Sequence, residues 1–116
     1  MYRQDGRPEI YLVTGYTDFR CGIDALCYRL KNVAKVDILS NSLFIFCNRG
    51  KDKLKMLYWG GAGFWLITYR LEQGKFEWFK NQELKGITYK QLEWLLEGIN
   101  LNQKRYHNKV EKSLMF

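Results

Sequence analysis

Short apolar runs alternate with charged residues in the middle of the chain, over residues 53–79. Two glycine-bearing breaks, at residues 60–63 and 73–74, divide this stretch into three segments of strand length. Alternation with a period of two is typical of a strand that has one buried face. The pattern therefore predicts a three-stranded antiparallel meander.

The lengths of the two loops predict the register of the meander. A four-residue first loop places Trp59 opposite Phe64. A two-residue second loop places Glu72 opposite Lys75, so that opposite charges meet across the strands.

In this register the side chains of the meander fall on two faces. The predicted core face is apolar and contains Leu54, Met56, Tyr58, Trp65, Ile67, Tyr69, Leu71, Phe76 and Trp78. The opposite face is charged at one end, with Lys53, Lys55, Arg70 and Glu77, and apolar at the other, with Leu57, Trp59, Phe64 and Leu66. Because an apolar surface is costly in water, this second face needs a cover or a partner.

The chain before the meander predicts two strands and a helix. Residues 9–14 are rich in β-branched and aromatic residues, and residues 43–47 are apolar throughout, as expected of a central strand covered on both faces. Between them, apolar residues recur at helical spacing, so we expect a helix capped by Thr17 or Asp18 that runs to about Lys35.

The chain after the meander predicts a second, short helix. Thr88 and Gln91 have the spacing of a capping box, and Gly98 is placed to end the helix. Together these elements predict an α+β fold: a mainly antiparallel sheet of about five strands, in the order β-α-β-β-β-β-α, with two helices packed on it. We expect one domain over residues 1–101 and a basic, flexible tail over residues 102–116.

Composition narrows the class of protein. The chain has 116 residues, of which 47% are hydrophobic, and no apolar run approaches the roughly 20 residues that a membrane span needs. Residues 1–8 are polar and do not resemble a secretory signal. Three cysteines, Cys21, Cys27 and Cys47, leave one unpaired and suit a reducing compartment. We therefore expect a cytoplasmic protein with no membrane partner.

Charge points to a polyanionic partner. The formal net charge is +7 and the pI is near 9.4, values that favour nucleic acid as a ligand. The equally weighted alternative is that the charge serves solubility alone.

Residue types that carry catalysis or hold metals are sparse. The single histidine, His107, lies in the predicted tail, the cysteines are scattered, and no phosphate-binding glycine loop occurs. Asp18, Asp24 and Asp52 do not amount to the converging carboxylates of a two-metal nuclease. We therefore expect no catalytic residue, no metal and no cofactor, and no hydrolysis of DNA.

Several motifs resemble a known family. They are residues 11–20 (YLVTGYTDFR), Gly22, 24–26, 43–46, 52–55, 58–59, 63–65, 69–76 and 95–99. From about Ile10 to Leu101 the chain resembles the small accessory protein encoded by the second open reading frame of insertion-sequence family sixty-six elements, often labelled TnpB and unrelated to the RNA-guided nuclease of that label. The resemblance implies a role in DNA transposition beside a separate transposase.

The chain departs from the family pattern at three positions. Cys21 stands where a basic residue is usual, and Gly60 and Asn100 stand where Asp is common. The missing Asp argues against a catalytic carboxylate at position 60. Arg20, within the resembling motif, either meets a partner or pairs with Asp24 one turn along the predicted helix.

Two functions fit these observations. The first is a non-enzymatic accessory factor that binds the DNA of element ends through a basic sheet face and loop, formed by Arg49, Lys51, Lys53, Lys55 and Arg70. The alternative is an interaction module that binds the cognate transposase or another accessory protein, with Arg20, Trp59 and Phe64 as contact residues.

Overall fold

A computed structural model describes residues 6–98 of the chain. It contains five strands: β1 (Glu9–Val13), β2 (Ser42–Cys47), β3 (Lys53–Trp59), β4 (Phe64–Arg70) and β5 (Leu84–Ile87). Helix α1 (Ile23–Tyr28) continues into a π-helical turn (Arg29–Val33), and helix α2 (Tyr89–Leu96) follows β5. The predicted boundary at residue 101 and the predicted tail over residues 102–116 lie outside the described residues.

The strands form one sheet in the order β4-β3-β2-β1-β5. β1 pairs parallel with β2, and every other neighbouring pair is antiparallel. The α+β class, the mainly antiparallel sheet and the order of elements along the chain are as predicted. The predicted register of β3 and β4 is also confirmed, with Trp59 opposite Phe64 and Lys53 opposite Arg70.

Apolar side chains pack on both faces of the sheet. One cluster lies on the face that carries α2, here called the α2 face, and contains Ile10, Leu12, Ile45, Cys47, Leu54, Phe76, Trp78, Ile87 and Leu95. The other lies under α1, on the α1 face, and contains Val13, Leu26, Leu30, Phe44, Phe46 and Leu57. β2 contributes to both clusters, which confirms residues 43–47 as a central strand. Helix α1 is the cover that the second face of the meander needed.

The first helix starts later than predicted. Gly22 is its N-cap, in an extended conformation and without a side-chain cap. The proposed caps serve other purposes, because Asp18 accepts a hydrogen bond from the Arg20 backbone N–H (2.9 Å) and Thr17 accepts one from Arg29. Asp18 therefore stabilises a local turn before the helix. A short acidic side chain suits such a turn as well as it suits a helix N-cap.

The third strand of the meander is absent, so that part of the prediction was wrong. After Leu71 the chain turns at Gly74 (φ 78°), and the Phe76 N–H bonds to Lys51 O instead of to a strand partner. Phe76 and Trp78 are nevertheless buried, and Trp78 Nε1 donates to Gly15 O at 2.8 Å. The alternation of these two residues reflects core packing by a coil segment, and β5 supplies the fifth strand.

The predicted core face is also wrong at two positions of β4, although Tyr69 of the same strand packs against the core cluster as predicted. Leu54 is buried as expected, but Trp65 is 63% exposed and Ile67 is 52% exposed. β4 lies at the edge of the sheet, where Trp65 and Ile67 stay accessible, whereas the Tyr69 hydroxyl donates to Leu96 O at the end of α2 at 2.6 Å.

Helix α2 begins with the predicted capping box. The Thr88 hydroxyl accepts from Gln91 N at 3.0 Å, and Gln91 Oε1 accepts from Thr88 N at 2.9 Å. Gly98 follows the helix with φ 77°, and its N–H donates to Leu95 O. Both termini of this eight-residue helix are therefore satisfied locally.

We expect Thr88→Ala to lower the free energy of unfolding by about 1 kcal/mol, because the N-terminal backbone donors of α2 lose their partner. Thr88→Ser, which keeps the hydroxyl, serves as the matched control and should stay near wild type. Chemical denaturation followed by circular dichroism measures both. Equal unfolding midpoints for the Ala and Ser variants would contradict the role of the cap.

Candidate nucleic-acid interface

A large recess lies at the edge of the sheet where β1 and β2 both end. Because these two strands are parallel, the loop after β1 (residues 14–22) and the loop after β2 (residues 48–52) meet at that edge. In open sheets with parallel strands this is the place where ligands bind. The cleft has a volume of about 710 Å³ and is lined by Tyr16, Thr17, Asp18, Phe19, Arg20, Asn48, Arg49, Gly50 and Lys53.

The loop after β1 is tied to the sheet by backbone and side-chain hydrogen bonds. The Thr17 N–H donates to Cys47 O at 2.9 Å, and Arg29 Nη1 donates to Thr17 Oγ1 at 2.6 Å. The Lys55 ammonium donates to the carbonyls of Phe19 (2.8 Å) and Cys21 (3.0 Å). One wall of the cleft is therefore held in place by buried and half-buried groups.

The loop after β2 is organised by Asn48. Its Oδ1 accepts from the N–H groups of Asp52 and Lys53, each at 3.1 Å, and its Nδ2 donates to Asp52 Oδ1 at 2.8 Å. The hydrogen bond from Asn48 is the main reason that the pKa of Asp52 is lowered. Lys51 sits in a left-handed conformation with φ 60°, so the tight loop accepts a strained non-glycine residue.

Three of the predicted site residues surround the cleft. Arg20 projects into solvent with its side chain 91% exposed, and its guanidinium forms a side-on pair with Asp18, with an N–O distance of 2.6 Å. Arg49 lies 6.0 Å from the centre of the Tyr16 ring. Lys53 Nζ is 3.6 Å from Asp52 Oδ2. The structure therefore places Arg20, which the sequence analysis assigned to contact with a protein partner, in the same recess as Arg49 and Lys53, which it assigned to DNA binding.

The remaining predicted cations lie outside the cleft lining. Lys55 is half-buried beneath one wall, and its ammonium is engaged by backbone carbonyls. Arg70 lies opposite Lys53 on β4 and pairs with Glu72 at 2.7 Å. Lys51 belongs to the loop after β2. As predicted, Lys53, Lys55 and Arg70 share one face of the sheet.

The predicted aromatic pair is remote from the cleft. Trp59 and Phe64 face each other at the far end of the β3–β4 hairpin, with ring centroids 4.9 Å apart. Trp59 lies six positions along β3 from Lys53, a distance of about 20 Å at the usual rise per residue. Both rings are half-buried, and Phe64 packs against the cluster under α1. The basic and aromatic groups therefore form two separate regions.

The ion-pair partner of Arg20 is not the one that the sequence suggested. Its partner is Asp18, two residues before it, and not Asp24 in the helix. The hydrogen bonds that Arg20 donates, from its side chain first and from its backbone second, lower the pKa of Asp18 from the ordinary 3.8 to about 2. Asp18 is therefore ionised at any physiological pH.

Residues 6–98 contain no cluster of three or more His, Cys, Asp or Glu side chains placed to hold a metal ion. Cys21, Cys27 and Cys47 are free thiols, and burial raises the pKa of Cys47 to about 12. None of the helices in this part of the chain is both long and apolar enough to cross a membrane.

Comparison with known proteins assigns the chain to a family. The family model described as "IS66 Orf2 like protein" matches residues 8–106. The chain belongs to the IS66 Orf2 family. Membership implies an accessory role in the transposition of an IS66 insertion sequence.

Two curated relatives come from Sinorhizobium fredii (strain NBRC 101917 / NGR234). The uncharacterised protein y4hO is 37% identical over 92 residues, which cover 78% of this chain and 80% of y4hO. The uncharacterised protein y4jC is 34% identical over 67 residues, which cover 58% of this chain and 57% of y4jC. No solved structure gives a significant match.

Sequence reasoning on this IS66 Orf2 protein missed several residues that shape the cleft. The sequence analysis gives Asn48 no role, although an Asn that precedes a tight turn commonly accepts the backbone N–H groups of that turn. Tyr16 and Phe19 were assigned to no site. Their proximity to Arg49 and Lys53 depends on the parallel pairing of β1 with β2, which no local pattern reveals.

We expect Lys55→Met to lower the free energy of unfolding by about 1.5–3 kcal/mol, because two half-buried carbonyls lose a charged donor. Lys53→Met, two residues away on the same face, is the matched control. It should change stability by less than about 0.5 kcal/mol, since its ammonium makes only an exposed ion pair. Urea unfolding measures both variants, and equal losses would contradict the anchoring role of Lys55.

We expect the Asp18 carboxyl to titrate near pH 2 in the folded protein and at a higher pH in Arg20→Gln, which removes the guanidinium but keeps the backbone N–H. The sign follows from linkage: the folded pKa is depressed, so the contribution of the pair to stability is present above about pH 4 and is lost as the pH falls through about 2. Carboxyl chemical shifts in an NMR titration measure both pKa values. An unchanged Asp18 pKa in Arg20→Gln would refute the assignment of the cause.

Proposed function

We propose that this IS66 Orf2 protein is a non-enzymatic accessory factor that binds the DNA of the element ends through the cleft between the loops after β1 and β2. The observation that carries the proposal is the convergence of Arg20, Arg49 and Lys53 around one recess of about 710 Å³ in a chain of net charge +7. Clustered cations at a recess attract phosphates and release their counterions on binding.

The position of the cations favours contacts with the DNA backbone. All three lie in loops or at the first position of a strand, and none lies on a helix that could enter the major groove. Phosphate contacts position a protein on DNA, whereas base contacts specify sequence. We therefore expect broad sequence tolerance, with Lys51, Lys55 and Arg70 adding to the positive potential near the cleft.

The carboxylates beside the cleft support a binding role in preference to phosphoryl transfer. Asp18 is paired with Arg20, and Asp52 is held by Asn48. Both carboxylates thereby orient the cationic loops. A nuclease would need them free to converge on metal ions.

The second candidate function is an interaction module for the cognate transposase or another accessory protein. Trp59 and Phe64, at the tip of the β3–β4 hairpin, are half-buried and partly accessible, which favours a contact there. The two functions are compatible in one molecule, since the tip and the cleft lie at opposite ends of β3. We place both in the cytoplasm, where free cysteines persist in the reduced state.

We expect Arg49→Ala/Lys53→Ala to weaken DNA binding and to flatten the slope of log affinity against log salt by roughly 1 to 2 units, because each lost phosphate contact removes about 0.9. Any sequence preference should remain. Fluorescence anisotropy with labelled element-end DNA and with scrambled DNA, over a series of salt concentrations, measures both quantities.

The charge-matched control is Lys31→Ala/Lys90→Ala, which removes two exposed lysines away from the cleft. It should leave the slope close to wild type. An equal change of slope in both double variants would mean that DNA affinity depends only on the net charge of the protein. It would contradict the proposal that the cleft is the DNA-binding site. Unaltered DNA binding in the cleft variant, together with loss of transposase binding in Trp59→Ala, would favour the interaction module.

A further inference from the structure

Strand β4 is an open edge of the sheet within the described part of the chain. It lies at one end of the strand order, and its seven residues pair with β3 in a continuous register with no bulge. Such an edge presents a row of backbone N–H and C=O groups that can pair with a further strand.

The two edges of the sheet differ in how far they discourage such pairing. β5 has four residues, among them Lys85 and Gly86, and is therefore short, charged and weak. Residues 64–69 of β4 read FWLITY, without charge, proline or glycine. A charged side chain appears only at Arg70, where it is paired with Glu72. β4 lacks the features that usually protect an edge strand.

Exposed apolar side chains accompany this edge. Trp65 is 63% exposed and Ile67 is 52% exposed on the α2 face, beside the half-buried Met56 and Tyr58 of β3. Scattered exposed hydrophobic residues are ordinary, but a contiguous group at an unprotected strand edge marks an interaction site.

We propose that a second copy of this chain pairs its β4 with β4 in antiparallel orientation, around a two-fold axis at Ile67. In this register Ile67 lies opposite Ile67 of the partner copy, and Trp65 lies opposite the partner's Tyr69. On the other face, Phe64 lies opposite the partner's Arg70. An isologous contact of this kind closes on itself and yields a dimer with a continuous ten-stranded sheet.

The sequence of β4 is complementary to itself in this arrangement. Aromatic pairs, pairs of β-branched residues and an arginine over an aromatic ring are each favourable across antiparallel strands. The two-fold axis also keeps like charges apart, because the two Arg70 side chains lie about six residues from one another, or about 20 Å. That separation exceeds the screening length of about 8 Å at physiological salt. Self-pairing is therefore possible despite the net charge of each copy.

The dimer would place the two clefts at opposite ends of the joined β4 strands. Each cleft lies near the Arg70 end of its own β4, since Lys53 of the cleft is opposite Arg70. Antiparallel pairing directs these ends away from each other. If the clefts bind DNA as proposed above, one dimer presents two separated sites.

The test uses complementary charges at the two-fold axis. We expect the wild type to be a dimer whose dissociation depends on concentration. Ile67→Lys and Ile67→Glu, each measured alone, should dissociate at least about tenfold more readily, because like charges lie directly opposite one another. An equimolar mixture of the two variants should regain a dimer. Sedimentation equilibrium measures all four samples.

Gln73→Lys serves as the control for added charge, and the mixture of the two Ile67 variants serves as the check of folding. Gln73→Lys adds a charge in the exposed turn after β4 and should leave the dimer unchanged. Recovery in the mixture also excludes misfolding as the reason for dissociation, because misfolded variants would not restore a dimer.

Three results would overturn the proposal. A monomeric wild type would mean that this edge is covered by another segment or another protein. A dimer that persists in both Ile67 variants would place the interface elsewhere. A mixture that stays monomeric would refute the register about Ile67. None of these results bears on DNA binding by the cleft, which the salt titration tests separately.

Discussion

The parallel pairing of β1 with β2 is the contact on which the rest of the molecule depends. It creates the central strand, whose side chains contribute to both apolar clusters. It also directs two loops, far apart in the chain, to the same edge of the sheet, where the Thr17 N–H reaches Cys47 O. The core and the cleft are therefore consequences of one register, and a shift of that register would disturb both.

Carboxylates hold two of the three cations that line the cleft, Arg20 and Lys53. Asp18 and Asp52 each hold a neighbouring basic side chain or loop, while Lys55 is committed to the carbonyls beneath. The net charge of the chain explains attraction to polyanions at long range. Backbone carbonyls hold the Lys55 ammonium beneath the surface, whereas Arg20, Arg49 and Lys53 line the recess.

Local patterns predicted those parts of the structure that depend on local chemistry. The register of β3 with β4 follows from loop length and alternation, and the capping box of Thr88 and Gln91 follows from spacing. Asp18 was misassigned because a helix cap and a pre-helical turn use the same side-chain geometry. Trp65 was wrongly placed in the core, because alternation identifies an apolar face without showing what covers it. Phe76 was correctly placed in the core but wrongly in a strand, because coil residues can fill a core as strands do. The sequence did not predict the cleft, because the cleft is formed by the parallel pairing of two strands that are far apart in the chain.

The same topology has a consequence for how the chain folds. The β2–β3 and β3–β4 pairs join neighbouring segments, whereas β1 must meet β2 across the intervening helix and meet β5 across most of the described chain. Loop closure favours the local hairpins first, so β1 should join the sheet late. Until β1 pairs with β2, one edge of β2 lacks a strand partner, as the outer edge of β4 does. A chain in which β1 has not yet docked would therefore expose two unpaired strand edges, one on β2 and one on β4. Conditions that slow the docking of β1 would promote aggregation even where they leave the stability of the native state unchanged.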